Sequence, residues 1–271
     1  MIELKYCISN IAWEEKDDDL IYELMRSHGY EGLEIAPTRV WDKPYTLDHS
    51  DYLNFKGKVN RYSIRLVAMQ SLLYREESLQ LFSDEPTRQK MLTELEKRTI
   101  LASKLGIKSL VFGLPKNRSY SGIEKQEAFE IAVEFFKQAG DMAVKYNTEF
   151  CIEANPVCYG TNFINFNNEA LDLVREVNSE GFRLHLDTGT MIENKEDLSI
   201  IPSCIDYVSH VHISEPFLEM PISKDTHVAI GKELHKAGYT GFISIEMKRN
   251  PELNSVENIN STLLNVREWY S

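Results

Sequence analysis

The chain has 271 residues, 42% of them hydrophobic and 27% charged, which suits one domain with a large core. Its formal net charge of −12 sets up a field that repels nucleic acid and anionic membranes, so a small soluble substrate is the expected partner. The opening MIELKYCIS lacks the basic and apolar stretches of a secretion signal, and no run reaches the roughly 18 apolar residues of a membrane span, which points to the cytoplasm.

In chain order, short β-rich runs alternate with longer amphipathic ones. Predicted strands cover residues 4–9, 32–36, 64–70, 109–113, 149–153, 183–187, 207–213 and 242–247. The helices expected after them cover 17–28, 48–61, 87–105, 122–146, 168–178, 196–200, 225–237 and 256–270. In the third helix Leu92, Leu95, Thr99, Ala102 and Leu105 recur at three and four residues, the helical period. Gly29, Gly106 and Gly238 stand where a left-handed residue ends a helix just before the next strand. Cys7, Cys151 and Cys204 sit in or beside apolar runs as reduced, buried residues, and no CxxC spacing occurs. Eight βα units in strict alternation predict one closed parallel (β/α)8 barrel, a TIM barrel, over 1–271. Two connections after strands are long, 72–86 and 155–167, as expected of lids or substrate-binding segments.

The last four predicted strands carry Glu153, Asp187, His212 and Glu246 at their C-terminal ends, where barrel enzymes place their chemistry. The separations of 34, 25 and 34 residues are close to the roughly 31 per unit of a 250-residue barrel. A buried, uncompensated carboxylate costs several kcal/mol or more, so three converging on one barrel mouth call for pairing or a cation. Three carboxylates and an imidazole are a mostly hard donor set for one divalent ion. Mn²⁺ or Mg²⁺ suits it best, and Co²⁺ or Zn²⁺ is compatible. His185 and His210 alternate with Asp187 and His212 on their strands and so face the same way one layer deeper, as support for the ligands or as core.

Glu153 in FCIEANP, Asp187 in LHLDTGT, His212 in HVHISEP and Glu246 in ISIEMKR resemble the metal quartet of the xylose isomerase-like barrel superfamily, particularly its sugar isomerases and epimerases. GYEGLEI at 29–35, LVFGLPKNR at 110–118 and GYTGFISIEM at 238–247 extend the resemblance over the whole chain. It implies a sugar or sugar-like substrate, and it assigns Glu153 and Glu246 to opposite faces of the reacting carbon. One removes a proton alpha to the carbonyl and the other returns it through an enediolate, so both are ligand and acid/base. In the epimerases of this family a histidine stands three positions after the aspartate; here that position is Thr190, which leaves the fine substrate geometry open.

Further substrate-side candidates are Glu34, Gln70, Lys116, Arg118, Asn155 and His185. Lys116 and Arg118 either hold a carboxylate or phosphate or form a solvated basic loop, and Glu34 either accepts sugar hydroxyls or closes a salt bridge inside the barrel. Trp13, Tyr74, Tyr159 and Phe163 follow strands and either pack on a sugar face or fill loops. No glycine-rich phosphate loop is present, which neither supports nor excludes a phosphorylated substrate. The alternatives on the same metal site are an inosose-type dehydratase or lyase and a non-catalytic sugar-binding barrel. An apurinic endonuclease, with three zinc ions to ligate, is disfavoured by a chain of seven histidines and by its acidic charge. An oligomer is compatible with the chain.

Overall fold

The structure, a computed structural model, describes residues 3–252 and 254–271. Eight parallel strands close a barrel in sequence order: β1 Lys5–Ser9, β2 Gly32–Ile35, β3 Arg65–Met69, β4 Ser109–Phe112, β5 Glu149–Glu153, β6 Phe182–Asp187, β7 Val208–Ile213 and β8 Phe242–Ile245. The helices are α1 Asp18–Ser27, α2 Pro37–Val40, α3 His49–Asn60, α4 Glu85–Leu105, α5 Lys125–Lys145, α6 Asn167–Val177, α7 Thr188–Asn194, α8 Ile200–Cys204, α9 Lys224–Lys236 and α10 Ser255–Trp269. Among the described residues no helix is long and apolar enough to cross a membrane.

Strand alternation divides the side chains. Phe112 on β4 and Phe182 on β6 point outward, and both meet Phe136 of α5, with ring centroids 5.0 and 4.6 Å away. The inward residues stack in layers, and the strand register aligns His185 with His210 and Asp187 with His212. Register shifts fall at Leu33/Glu34 and Leu184/His185, so two of the deeper polar residues sit beside irregularities that re-aim them.

Local signals explain most element ends. Asp48 and Asp84 cap α3 and α4 by accepting first-turn N–H groups, and Gly106 closes α4 at φ +78°. Gly29 and Gly238 also take positive φ, as their placement after predicted helices implied. Two regions depart from expectation, the first being the short α2, which no predicted helix covers. In the second, the helix predicted at 196–200 is replaced by α7, which starts directly after β6, and by α8, which begins at Ile200. The cause is Asp187: its Oδ1 accepts the Thr190 N–H at 2.6 Å, so the last strand residue is also the helix cap.

The long connection after β3 is anchored by Arg98 of α4, which is almost fully buried, pairs with Glu76 and Glu94, donates to the Leu72 carbonyl at 2.8 Å and lies over the Tyr45 ring. Asn117 holds the same loop by donating to the Glu76 and Leu79 carbonyls. These contacts fix Ser71 and Tyr74 over the barrel mouth.

Candidate metal centre

At the C-terminal end of the barrel, donor atoms of Glu153, Asp187, His212 and Glu246 lie within 4.8 Å of one another. That is close to the spacing required by one ion about 2.1 Å from each donor. Burial first, then the Asp187 and Glu246 charges, push Glu153 up to about 8, with His212 and Arg118 opposing. Burial also raises Glu246 in spite of His212. A crowd of carboxylates that resists ionisation among its own protein neighbours is a set that a divalent cation would relieve.

His212 is oriented from below. Its Nε2 lies 3.0 Å from both carboxylate oxygens of Glu34, and Ser244 donates to Glu34 Oε2 at 2.6 Å. The other ring nitrogen, Nδ1, is buried without a hydrogen-bond partner and stands 3.1 Å from Glu246 Oε2. A histidine whose far nitrogen is held by a carboxylate while the near one is unpartnered and surrounded by acidic oxygens fits a metal ligand. Burial disfavours charge on Glu34, yet His212 and His210 outweigh it and hold Glu34 well below the usual carboxylate range.

The chain positions the other donors by equally local means. Asp187 Oδ2 accepts from Ser214 Oγ at 2.5 Å while its Oδ1 caps α7, so both oxygens are fixed. Gly189, in the first turn of α7, has no room for a side chain: a Cβ there would lie 2.8 Å from Ser214 Oγ and 2.9 Å from the Glu215 carbonyl. Gly113, just after β4, is similarly constrained, because a Cβ would collide with Glu153 Oε2. Behind β5, the fully buried Arg118 donates Nη2 to the Glu153 carbonyl and to Asn155 Oδ1, both at 2.7 Å. Burial pulls its guanidinium down to about 10, with Glu153 opposing.

A cavity of about 260 Å³ opens above these groups, lined among others by Glu153, Asp187, Glu246, Gln70, Asn155 and Tyr159. Gln70 and Asn155 reach it as expected, the first held by Ser9 Oγ at 2.6 Å. Four other substrate-side candidates stay out of the cavity; for Glu34, Lys116 and His185 the structure selects the other role the sequence allowed, and Arg118 takes neither of its two. Glu34 lies beneath His212 rather than facing substrate, because the predicted strand runs on to Ala36 and so places Glu34 one layer down. Arg118 is walled off behind β5. Lys116 points away, 68% exposed, to pair with Glu77 at 2.7 Å. His185 is fully buried below the donors, its ring 4.1 Å from that of His212 and both its nitrogens unpartnered; burial, then the neighbouring His212 and His210, keep it well below its ordinary pKa.

Of the aromatic candidates, Tyr74 and Tyr159 line the cavity. Phe163 packs on Phe82 and Tyr120, and Trp13 donates to Asp18. Thr190 is buried and donates to the Ala154 carbonyl at 2.9 Å, tying α7 to the end of β5. Sequence reasoning passed over Gly113, Ser214 and Glu215. Their signal is position alone, since each follows a strand directly or within two residues.

Residues 22–265 match the family model described as Xylose isomerase-like TIM barrel, and the chain belongs to that family. No curated protein matches it significantly in sequence. Among solved structures it is similar to D-psicose 3-epimerase with D-tagatose from Clostridium cellulolyticum H10, at 20% identity over 98% of this chain and 96% of that one, with a TM-score of 0.78. It is similar to 3-keto-D-glucoside 4-epimerase from E. coli, at 14% identity over 98% and 100% of the two chains, TM-score 0.80. It is also similar to the IOLI protein with a bound zinc atom, at 20% identity over 99% and 98%, TM-score 0.74.

Proposed function

We propose that this protein is a metal-dependent sugar isomerase or epimerase that moves a proton at the carbon alpha to a carbonyl. The observation that carries the reading is that Glu153 and Glu246 line one cavity from β5 and from the end of β8, three strands apart around the barrel, so that they approach a substrate from different sides. Glu153, Asp187, His212 and Glu246 would hold the ion, for which their oxygen-rich donor set favours Mn²⁺ or Mg²⁺. When bound, the divalent ion would supply Lewis acidity to the substrate.

The chain's own groups do the rest. One of the two glutamates accepts the proton from carbon and the other returns one, and the direction of reaction decides their order. Glu34 keeps the His212 ring aligned, and Ser214 and the α7 backbone keep Asp187 in place. Gln70 and Asn155, both pinned by neighbours, are suited to orient hydroxyls, and Tyr74 and Tyr159 offer aromatic faces to the apolar side of a sugar. The epimerase names of structurally similar proteins agree with this reading.

The test is metal analysis followed by incubation of the metal-loaded protein with a panel of ketoses in D₂O. Deuterium entering one carbon locates the proton transfer, whereas loss of water would identify a dehydratase. Glu153→Gln and Glu246→Gln should each cut turnover by about 10²-fold or more, the scale of a positioned acid/base. Exchange at the parental rate in both variants would overturn the assignment.

A further inference from the structure

The cavity lining offers an anion no basic side chain. Among the described residues that line it there is no lysine or arginine, whereas four are carboxylates: Glu153, Asp187, Glu215 and Glu246. Of the cations near it in sequence, Arg75 is exposed and lies over the Tyr74 ring, 5.1 Å from its centroid, and three others are committed elsewhere. Lys116 pairs with Glu77 outside, Arg118 is spent behind β5, and Lys248 pairs with Glu219. One divalent ion among four carboxylates leaves a net negative charge at the site.

Barrel enzymes without a basic side chain can still hold phosphate on backbone N–H groups, most often in the loops after strands 7 and 8 and at the start of the helix that follows. Several of those donors are taken here by the protein's own acceptors, although no side chain caps α9 itself. Glu215 Oε1 accepts the N–H groups of Ile222 and Ser223, immediately before α9, at 3.0 and 2.7 Å. Asn254 accepts those of Val256 and Glu257 at the start of α10, and Asp187 that of Thr190 at the start of α7. Burial works against charge on Glu215, but His227 and the two backbone donors outweigh it and hold its pKa at about 2, so it stays an anion at any working pH.

We propose that the site takes an uncharged sugar of monosaccharide size and excludes its phosphate ester or sugar acid, with the Glu215 carboxylate filling the position at the start of α9 that a substrate phosphate would otherwise occupy. This rests on the reading of the site as a sugar isomerase or epimerase and specifies its substrate class. The size follows from the cavity, whose 260 Å³ falls below the roughly 300–1,000 Å³ of pockets for drug-sized ligands. Apolar Leu114 and Leu218 on its wall offer a charged group no compensation for lost water.

The experiment uses the Mn²⁺-loaded protein, titrated calorimetrically with D-fructose, D-tagatose, D-fructose 6-phosphate and inorganic phosphate, and assayed for deuterium uptake with each sugar. The expected result is binding and exchange with a neutral ketose, and binding of the ester weaker by about tenfold or more. Glu215→Ala, which frees the Ile222 and Ser223 donors, should admit inorganic phosphate and narrow the gap. If that variant does not fold, Leu218→Arg provides the cation instead and should have the same effect on the ester. An ester that binds the parent as tightly as the neutral sugar overturns the proposal, and loss of that binding in Lys116→Ala would trace the error to the Glu77-paired lysine. Deuterium uptake from the ester would overturn it while leaving the isomerase reading intact. If no sugar exchanges, that reading falls, and the exclusion is then decided by phosphate alone: it stands if phosphate binds Glu215→Ala and not the parent, and fails otherwise.

Discussion

Gly113 shows how much a single hydrogen atom in place of a methyl group can decide. Its missing Cβ is the space in which the Glu153 carboxylate lies, so Gly113→Ala forces that carboxylate off its position without touching a ligand. Displacing one of four donors should lower Mn²⁺ affinity by about tenfold or more with the fold retained, the scale on which disturbed support of a metal ligand is felt. Chelator competition on a variant with parental circular dichroism checks it, and an unchanged affinity would show that Glu153 is held some other way. Glu215 yields a second expectation at this scale. Its pKa drops from 4.5 to about 2 on folding, so the stability it contributes is complete above about pH 4.5 and is lost as pH falls from there towards 2. Urea unfolding between pH 5 and 3 should therefore lose less stability in Glu215→Gln than in the parent.

Whole elements are positioned by the same economy of contacts. Asp187 ends β6, caps α7 and contributes its carboxylate to the candidate metal site, so strand, helix and donor are joined without a connecting loop. The helix predicted at 196–200 fails for this reason. Periodicity places a helix where apolar residues recur, but the cap that starts α7 depends on Asp187 and Thr190 meeting at the strand end, and Lys195 in the left-handed region stops that helix one residue before the predicted start. The outer layer is more conventional. Phe136 of α5 is fully buried between Phe112 and Phe182, and Phe136→Ala should cost about 3–5 kcal/mol through lost transfer and a residual cavity. Denaturant unfolding measures it, and a loss below about 1 kcal/mol would mean that the α5 face is not packed as described.

Across the whole molecule, folding and ion binding should be linked. The four donors come from strands separated by long stretches of chain and meet only in the closed barrel, so an ion held by them would bind the folded state alone and raise its stability by RT ln(1 + [L]/Kd), about 2.7 kcal/mol at a hundredfold excess over Kd. Adding Mn²⁺ should raise the melting temperature of the parent, and EDTA should reverse it. In His212→Ala the shift should shrink or vanish, and an undiminished shift would place the ion elsewhere.

The barrel itself was legible in the sequence because strand and helix patterns are local: alternation, helical spacing, and the stops at Gly29, Gly106 and Gly238 each involve residues close in the chain. The gathering of Glu153, Asp187, His212 and Glu246 followed from the same reading, since parallel strands in a closed barrel end on one rim. The layer and direction of the remaining polar side chains did not follow. Glu34 and Gln70 both belong to strands that open on that rim, yet a two-residue difference in distance from the strand end puts one under His212 and the other in the cavity. Arg118 and Lys116 are separated by one residue, and one is fully buried while the other reaches solvent. Those outcomes depend on partners distant in the chain, His212 at 178 positions from Glu34 and Glu153 at 35 from Arg118, and only the tertiary structure brings such partners within hydrogen-bonding distance.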